Sequence, residues 1–502
     1  TDLARWFHVP VWREAARKRG SVAGAGTRVV IIGEGGNLGA RLAERWRRAG
    51  LTVAQAKATD DVMTDGRRPS HLVYLGASTL EDNLAASERA FFELTQLAHG
   101  LAGASGDCTL SLVSTQACAV MPGDVTHPTK ALPVGAMRVI ARECPGVACR
   151  QVDLARVDDA AIDWLAGELV SPVREPLVAW RDGKRWAQEV RVEELGAAEG
   201  GAGLRERGVY LITGGFGSMG LAFARELARA VRARIVLLGR TGPSAEKLAR
   251  IREIEALGGE VLSLTADVSD RASLAKAVEK ARQRFGAIHG VIHTAGVYGQ
   301  GAMWERPEAA VRATWAPKVA GTLALAEALR DEKLDFLVLC ASLAASRPVA
   351  GQADYCAANA FLDAWVGEQA RRTGTRTISI EWGMWQELGM MENASIAAAQ
   401  KQSVRDEILR EGWQDAGIAA FRRIVAHAKA GTVLVSPQPL RDVIPPAHPL
   451  LVERTEAGRG RVDYVVRLDP KTHWVVNEHR LDGLAILPGT AYLELARAAF
   501  AD

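Results

Sequence analysis

Three polar side chains have the types and spacing for a shared reaction. Ser342 and Tyr355 lie thirteen residues apart, and Lys318 precedes both. Reducing a ketone requires a hydride at carbon and a proton at oxygen. A tyrosine hydroxyl ordinarily titrates near about 10, and a nearby ammonium lowers it toward working pH. A serine hydroxyl can hold the carbonyl and stabilise the charge that develops on its oxygen. Singly, these residues read as a serine cap, a core tyrosine and a surface lysine. Downstream of a nucleotide fingerprint, that plainer reading gives way.

The elements around them supply the positions. Ser342 closes an apolar strand over Phe336–Cys340, and Tyr355 starts a helix running through Asn359, Phe361 and Trp365. Both hydroxyls then meet at the carboxyl edge of a sheet, where α/β proteins bind ligands. Upstream, the strand Tyr210–Thr213 runs into Gly214-Gly215-Phe216-Gly217-Ser218-Met219-Gly220 and a helix. Such a glycine turn lets backbone approach a pyrophosphate, and the helix start offers it free N–H groups. The next strand, Ile235–Gly239, ends in Arg240-Thr241. NAD sites usually place an acid there, whereas arginine suits a 2′-phosphate, so NADPH is the expected cofactor. Asp267-Val268 ends a further strand and could meet the adenine edge. His293-Thr294-Ala295-Gly296 ends another, with small residues where a nicotinamide ribose must lie close.

Strand–glycine–helix also occurs earlier, at Val29 to Gly39 followed by Ala40 to Arg48. The fold class expected is therefore α/β, with two Rossmann-like, doubly wound parallel-sheet subdomains. The copies are not equivalent. Glu34 aligns with Gly215, and a carboxylate there would repel a pyrophosphate. The first copy also lacks a tyrosine matching Tyr355. Residues 1–195 are thus expected to be a structural half without cofactor, 196–203 a linker of small residues, and 204–442 the catalytic half. The Pro-rich run Val443 to Pro449 marks a second break, followed by a further segment at 447–502.

With these residues in view, the second copy resembles the short-chain dehydrogenase/reductases, and among them the ketoreductase domains of polyketide synthases. Many short-chain reductases carry lysine four positions after the tyrosine; here Asn359 stands there. Synthase ketoreductases exchange the two, with lysine on the preceding helix as in Ala316-Pro317-Lys318-Val319-Ala320-Gly321. Gly351 to Ala360 and Glu381-Trp382-Gly383-Met384-Trp385 match as well. The resemblance spans about residues 1–440 and implies a degenerate structural subdomain before the catalytic one. It also implies Ser342, Tyr355, Lys318 and Asn359 as the catalytic set, with Gly214 to Gly220 and Arg240 on NADPH. The implied substrate is a β-ketoacyl thioester on the phosphopantetheine arm of an acyl carrier protein. Departures are Ser218 for a common glycine, Glu381 for a frequent asparagine, and Tyr298-Gly299-Gln300 for Leu-Asp-Asp. Arg347, eight before Tyr355, is not the tryptophan of the opposite class. By the same resemblance, the missing Leu-Asp-Asp leans toward the L-hydroxy product.

His448-Pro449-Leu450-Leu451 and the stretch His479 to Gly489 resemble the start of a polyketide dehydratase, a hot-dog (α+β) fold. His479, Gly483 and Pro488 meet its HxxxGxxxxP motif, which implies His479 as the base, with its acidic partner absent from these 55 or so residues. Starting without Met and stopping within a helical pattern, the chain reads as a fragment of a longer synthase. Its other domains are then expected partners.

Composition excludes several classes. Of 502 residues, 48% are hydrophobic and 24% charged, with 62 basic against 59 acidic side chains, ordinary for a globular protein. The formal net charge of +3 and the lack of a long basic run disfavour nucleic acid. No apolar run reaches the roughly 18 residues of a membrane span, and the first ten residues are no signal peptide. Six cysteines without CxxC or zinc-like spacing read as reduced thiols in a cytoplasmic protein, with no metal site. The rival reading is a silent scaffold module. A free-standing sugar or steroid dehydrogenase explains neither the first half nor the tail.

Overall fold

Short apolar runs rich in Val, Ile and Leu, separated by amphipathic segments, dictate strands buried on both faces between helices. The computed structural model describes residues 2–16, 27–33, 36–56, 62–63, 67–78, 82–383, 413–438 and 440, with short stretches between 453 and 497. The chain forms two compact units. One comprises Thr1–Gln188 with Val192–Gln438, and the other Pro439–Asp502 with Glu189–Arg191.

In the large unit, the first half contains β1 (Phe7–Ala15), β2 (Arg28–Ile32), α1 (Leu38–Arg48), β3 (Thr52–Ala56) and β4 (His71–Ala77). It continues with α2 (Leu84–Gly103), β5 (Cys108–Thr115), α3 (Ala131–Glu143), β6 (Val147–Leu154), α4 (Asp159–Leu169), β7 (Leu177–Arg181) and β8 (Lys184–Val192). The second half opens with β9 (Val209–Thr213), α5 (Ser218–Val231), β10 (Arg234–Gly239), α6 (Ala245–Ala256) and β11 (Glu260–Thr265). Then come α7 (Arg271–Phe285), β12 (Gly290–His293), α8 (Glu308–Lys318), α9 (Ala320–Ala328) and β13 (Phe336–Ser342). The half closes with α10 (Ala353–Thr373), β14 (Thr377–Trp382), α11 (Trp413–His427) and β15 (Gly431–Val435).

The two Rossmann-like halves share one fifteen-stranded sheet, in the order β11-β10-β9-β12-β13-β14-β15-β1-β8-β7-β6-β5-β4-β2-β3. The seam is antiparallel, pairing Phe7 with Val435 and His8 with Leu434. The strands flanking the nucleotide-type turn are parallel, Ile212 facing Leu237 on one side and Ile292 on the other. That pattern puts all their carboxyl ends on one edge.

The stretch read as a linker has fixed partners. Arg422 donates to the Ala198 and Gly200 carbonyls at 3.0 and 2.8 Å, and Arg423 to that of Leu195 at 2.9 Å. On one face of the sheet, α2 and α3 pack with α8 and α10 in a single core drawn from both halves. Phe91 meets Trp315 edge-on with ring centroids 4.8 Å apart. The other face of the catalytic half buries α5 and α11, whose Phe223 and Phe421 rings stack at 4.3 Å.

In the second unit the described strands are an antiparallel pair, Glu453–Gly458 with Arg461–Val465, and a two-residue pair, Arg480–Leu481 with Leu484–Ala485. Glu34, Met384, Trp385, His448, His479, Gly483 and the stretch 443–449 lie outside the described residues. Among those described, no helix is long and apolar enough to cross a membrane.

Candidate active site

The turn after β9 is shaped by near neighbours as much as by any ligand. Gly214 has φ +65°, and a Cβ there would lie 2.7 Å from Thr294 Oγ1 and 2.8 Å from the Ala295 nitrogen. Only glycine fits that left-handed, crowded position. At Gly215 a Cβ would meet the Ile212 carbonyl at 2.8 Å and the Leu237 Cα at 3.0 Å. Close approach at Gly215 is therefore first a matter of packing against β10, where the sequence suggested room for a pyrophosphate.

Gly217 caps α5 without a side-chain bond, whereas α2, α4, α6 and α7 are capped by Asn83, Asp158, Ser244 and Asp270. The first intrahelical bond of α5 comes from the Leu221 amide to Gly217, which leaves the Ser218, Met219 and Gly220 amides without an intrahelical acceptor. A helix start left open in this way suits an anion.

Arg240 and Thr241 lie exposed just past β10. Asp267 and Val268 sit in the turn after β11, which ends at Thr265 rather than reaching them. Burial pushes the Asp267 carboxyl up, but the Ser269 amide and hydroxyl at 2.9 and 2.6 Å and the Arg240 charge hold it below its usual value. Thr213 is fully buried, with its hydroxyl 2.6 Å from His293 Nδ1; His293 Nε2 lies 3.0 Å from the Pro317 carbonyl. A carbonyl only accepts, so Nε2 carries the proton and Nδ1 accepts from Thr213. Burial and the Lys318 charge push the imidazole down to about 3, so it stays neutral. His293 thus ties the base of the glycine turn to the last turn of α8, one residue before Lys318. Ala295 and Gly296 follow at the carboxyl end of β12.

Ser342, Tyr355, Asn359 and Lys318 converge at the end of β13. Ser342 is its last residue, Tyr355 lies in the first turn of α10, and Asn359 one turn further, fully buried. Tyr355 is 7% exposed, and burial pushes its phenol up to about 12, although hydrogen bonds from Ser342 and Asn359 pull it back. The sequence suggested instead that Lys318 would lower it. The Lys318 ammonium donates to the Cys340 carbonyl at 2.7 Å, and burial lowers its own pKa to about 8. Asn359 Nδ2 donates back to the Tyr355 carbonyl at 2.7 Å, while its Oδ1 is buried without a partner in the structure. A buried, unpaired acceptor beside the phenol is costly and is common where a ligand or proton is handled.

Sequence reasoning assigned no role to several residues that frame this cluster. The Tyr298 ring packs edge-on against Tyr355 at 5.5 Å, and Gln352 donates 2.8 Å to its hydroxyl. Asp354 accepts from Arg306 and, at 3.0 Å, from Thr314. A Cβ at Gly299, where the first Asp of Leu-Asp-Asp would stand, would fall 2.4 Å from that carboxylate, so a side chain fits there only if Asp354 shifts. Behind the cluster, Glu381 accepts from Ser346 and lies against Asp363, which accepts from Ser379 at 2.6 Å. Burial and mutual repulsion raise the Glu381 carboxyl well above its ordinary range. Only the odd Glu before Trp382 hinted at this pair.

The fold is shared with known proteins. Residues 208–387 match the family described as KR domain, and residues 448–502 the polyketide synthase dehydratase domain. Polyketide synthase PksM of Bacillus subtilis (strain 168) is 32% identical over 272 residues, 53% of this chain and 6% of that protein. Erythronolide synthase EryA3 of Saccharopolyspora erythraea is 32% identical over 390 residues, 76% of this chain and 12% of its own length. The chain therefore spans only a small part of the length of these relatives. Among solved structures, the ketoreductase from the first module of phoslactomycin biosynthesis in Streptomyces sp. HK803 has 26% identity and a TM-score of 0.68, covering 86% of this chain and 93% of that one. The first ketoreductase of the tylosin PKS has 25% identity and a TM-score of 0.70, covering 87% and 93%.

Proposed function

Since the chain carries a polyketide synthase ketoreductase domain over residues 208–387, we propose that it reduces a β-ketoacyl thioester, carried on acyl carrier protein, to the β-hydroxyacyl thioester with NADPH. One observation carries the reading: Ser342, Tyr355, Asn359 and Lys318 meet at the carboxyl edge of β13, on the sheet edge that also bears the glycine turn. The open start of α5 fits a bound dinucleotide. Ser218, Met219 and Gly220 would hold its pyrophosphate, Arg240 its 2′-phosphate, and Asp267 and Val268 its adenine. Thr213, Ala295 and Gly296 would border the nicotinamide ribose.

NADPH supplies the hydride. Ser342 Oγ orients the carbonyl, and Tyr355 Oη gives its proton to the oxygen as the carbon is reduced. A phenol held near about 12 keeps that proton until the oxygen turns basic. Lys318 keeps a positive charge behind the Cys340 carbonyl, and solvent reprotonates the phenolate. The setting is cytoplasmic, with the other synthase domains as partners, and we assign His479 as the base of the dehydratase-like segment. The test is to incubate the protein with a β-ketoacyl thioester of N-acetylcysteamine and NADPH. One hydroxyacyl thioester should form per NADPH oxidised. No alcohol, with NADPH still bound, would favour a silent scaffold.

A further inference from the structure

The half without the nucleotide-type turn reaches into the site through α3. Gly135 of that helix packs so closely on α10 that a Cβ there would lie 2.3 Å from the Ala357 Cα, two residues from Tyr355. Arg138 donates to the Ala345 carbonyl in the loop after Ser342. At the end of α3, Glu143 accepts from two amides far away in sequence, Gly351 at 2.7 Å and Met303 at 3.0 Å. The Gly351 carbonyl in turn accepts from the Gly301 amide at 2.9 Å. These bonds close a ring joining the 298–303 loop, which brings Tyr298 against Tyr355, to the turn that starts α10. A carboxylate at a helix carboxyl end opposes the helix dipole, so nothing local to α3 favours Glu143. Its partners do.

We infer that Glu143 is a positioning residue for the reaction: by clasping the Gly351 and Met303 amides, it sets the mouth in which the acyl chain lies against Tyr355. This rests on the reduction proposed above. Glu143 touches neither the carbonyl nor the glycine turn, so its loss acts on substrate placement and spares the cofactor. An α-methyl β-ketoacyl thioester of N-acetylcysteamine reads this out, because it yields separable diastereomeric alcohols. Glu143→Ala removes both acceptors and should lower kcat/KM by about ten- to a hundredfold, mainly through KM. Glu143→Gln keeps one acceptor oxygen and should fall between Ala and Glu. The diastereomer ratio should drift toward even in the same order, with the Kd for NADPH unchanged.

Hydrogen exchange on the unaltered protein gives a measurement free of any folding defect: the Gly351 and Met303 amides should exchange slowly, as strand amides do. Unchanged KM and diastereomer ratio in a folded Glu143→Gln protein would overturn the clasp. Fast exchange at both amides would do the same, as would losses matched by equal losses in NADPH affinity, which would make the role merely structural. No alcohol from the unaltered protein would remove the reduction itself and the inference with it.

Discussion

Tyr355→Phe removes one oxygen and leaves the ring. The phenyl retains its edge contact with Tyr298 and its place in the first turn of α10, where the side chain is 7% exposed. The change in packing is therefore small. What is lost is one buried hydroxyl near Ser342 and Asn359, at a cost to stability of about 1–2 kcal/mol. The Lys318 bond to Cys340 and the glycine turn involve no Tyr355 oxygen, so NADPH should bind as before. The reaction loses its proton source. A positioned acid contributes roughly a hundred- to ten-thousandfold, or about 3–5 kcal/mol of barrier. The assay follows NADPH consumption and alcohol formation with a β-ketoacyl thioester, alongside a cofactor titration by fluorescence. Turnover within about threefold of the unaltered protein, at full NADPH occupancy, would refute the assignment of Tyr355 as the acid.

Arg240→Ala should erode the preference for NADPH over NADH by roughly ten- to a hundredfold in kcat/KM, since a charge-assisted bond to a phosphate is lost; equal use of both cofactors by the unaltered protein would contradict the assignment. Lys318 titrates near about 8 while the phenol holds its proton to about 12, so the rate should fall as pH rises through about 8. In Lys318→Met the rate should be lower and that limb should vanish; a limb surviving the substitution would locate the titration elsewhere. Glu381 has a folded pKa above its unfolded one, so the folded state gains from its proton at low pH and loses that gain as pH rises through the folded value. Glu381→Gln should therefore stabilise the protein by about 1–3 kcal/mol at pH 8 and by less at pH 5, read as the shift in Tm. An equal shift at both pH values would rule out the buried carboxyl as its source.

Much of this site was legible because its chemistry sits on local signals. Ser342 and Tyr355 are tied to a strand end and a helix start, and Gly214 to Gly220 to a single turn, so spacing alone placed them. Partners were another matter. Cys340 offers Lys318 only a backbone carbonyl, which no residue type announces. Glu143 meets Gly351 and Met303 across more than 150 residues, and Asp354 fills the space beside Gly299 because Arg306 holds it there. The Tyr355 phenol lies high rather than low because burial outweighs its neighbours, and burial is a tertiary property. The duplication was readable from paired glycine turns. The single sheet that joins the copies was not, because β1 lies far from both of its neighbours in sequence.

That join ties the order of synthesis to the order of folding. Phe7 belongs to the same core as Trp382 and Val435 and pairs with Val435, so the large unit's opening strand waits for its closing one. Contacts so distant in sequence form slowly, and until they form the β15 edge and the Trp6–Phe7 surface stand open to other chains. Catalytic halves cut out at residue 204 would keep that exposure permanently. Exchanges between synthases that respect this chain's fold must carry the opening strand along with the reductase it completes.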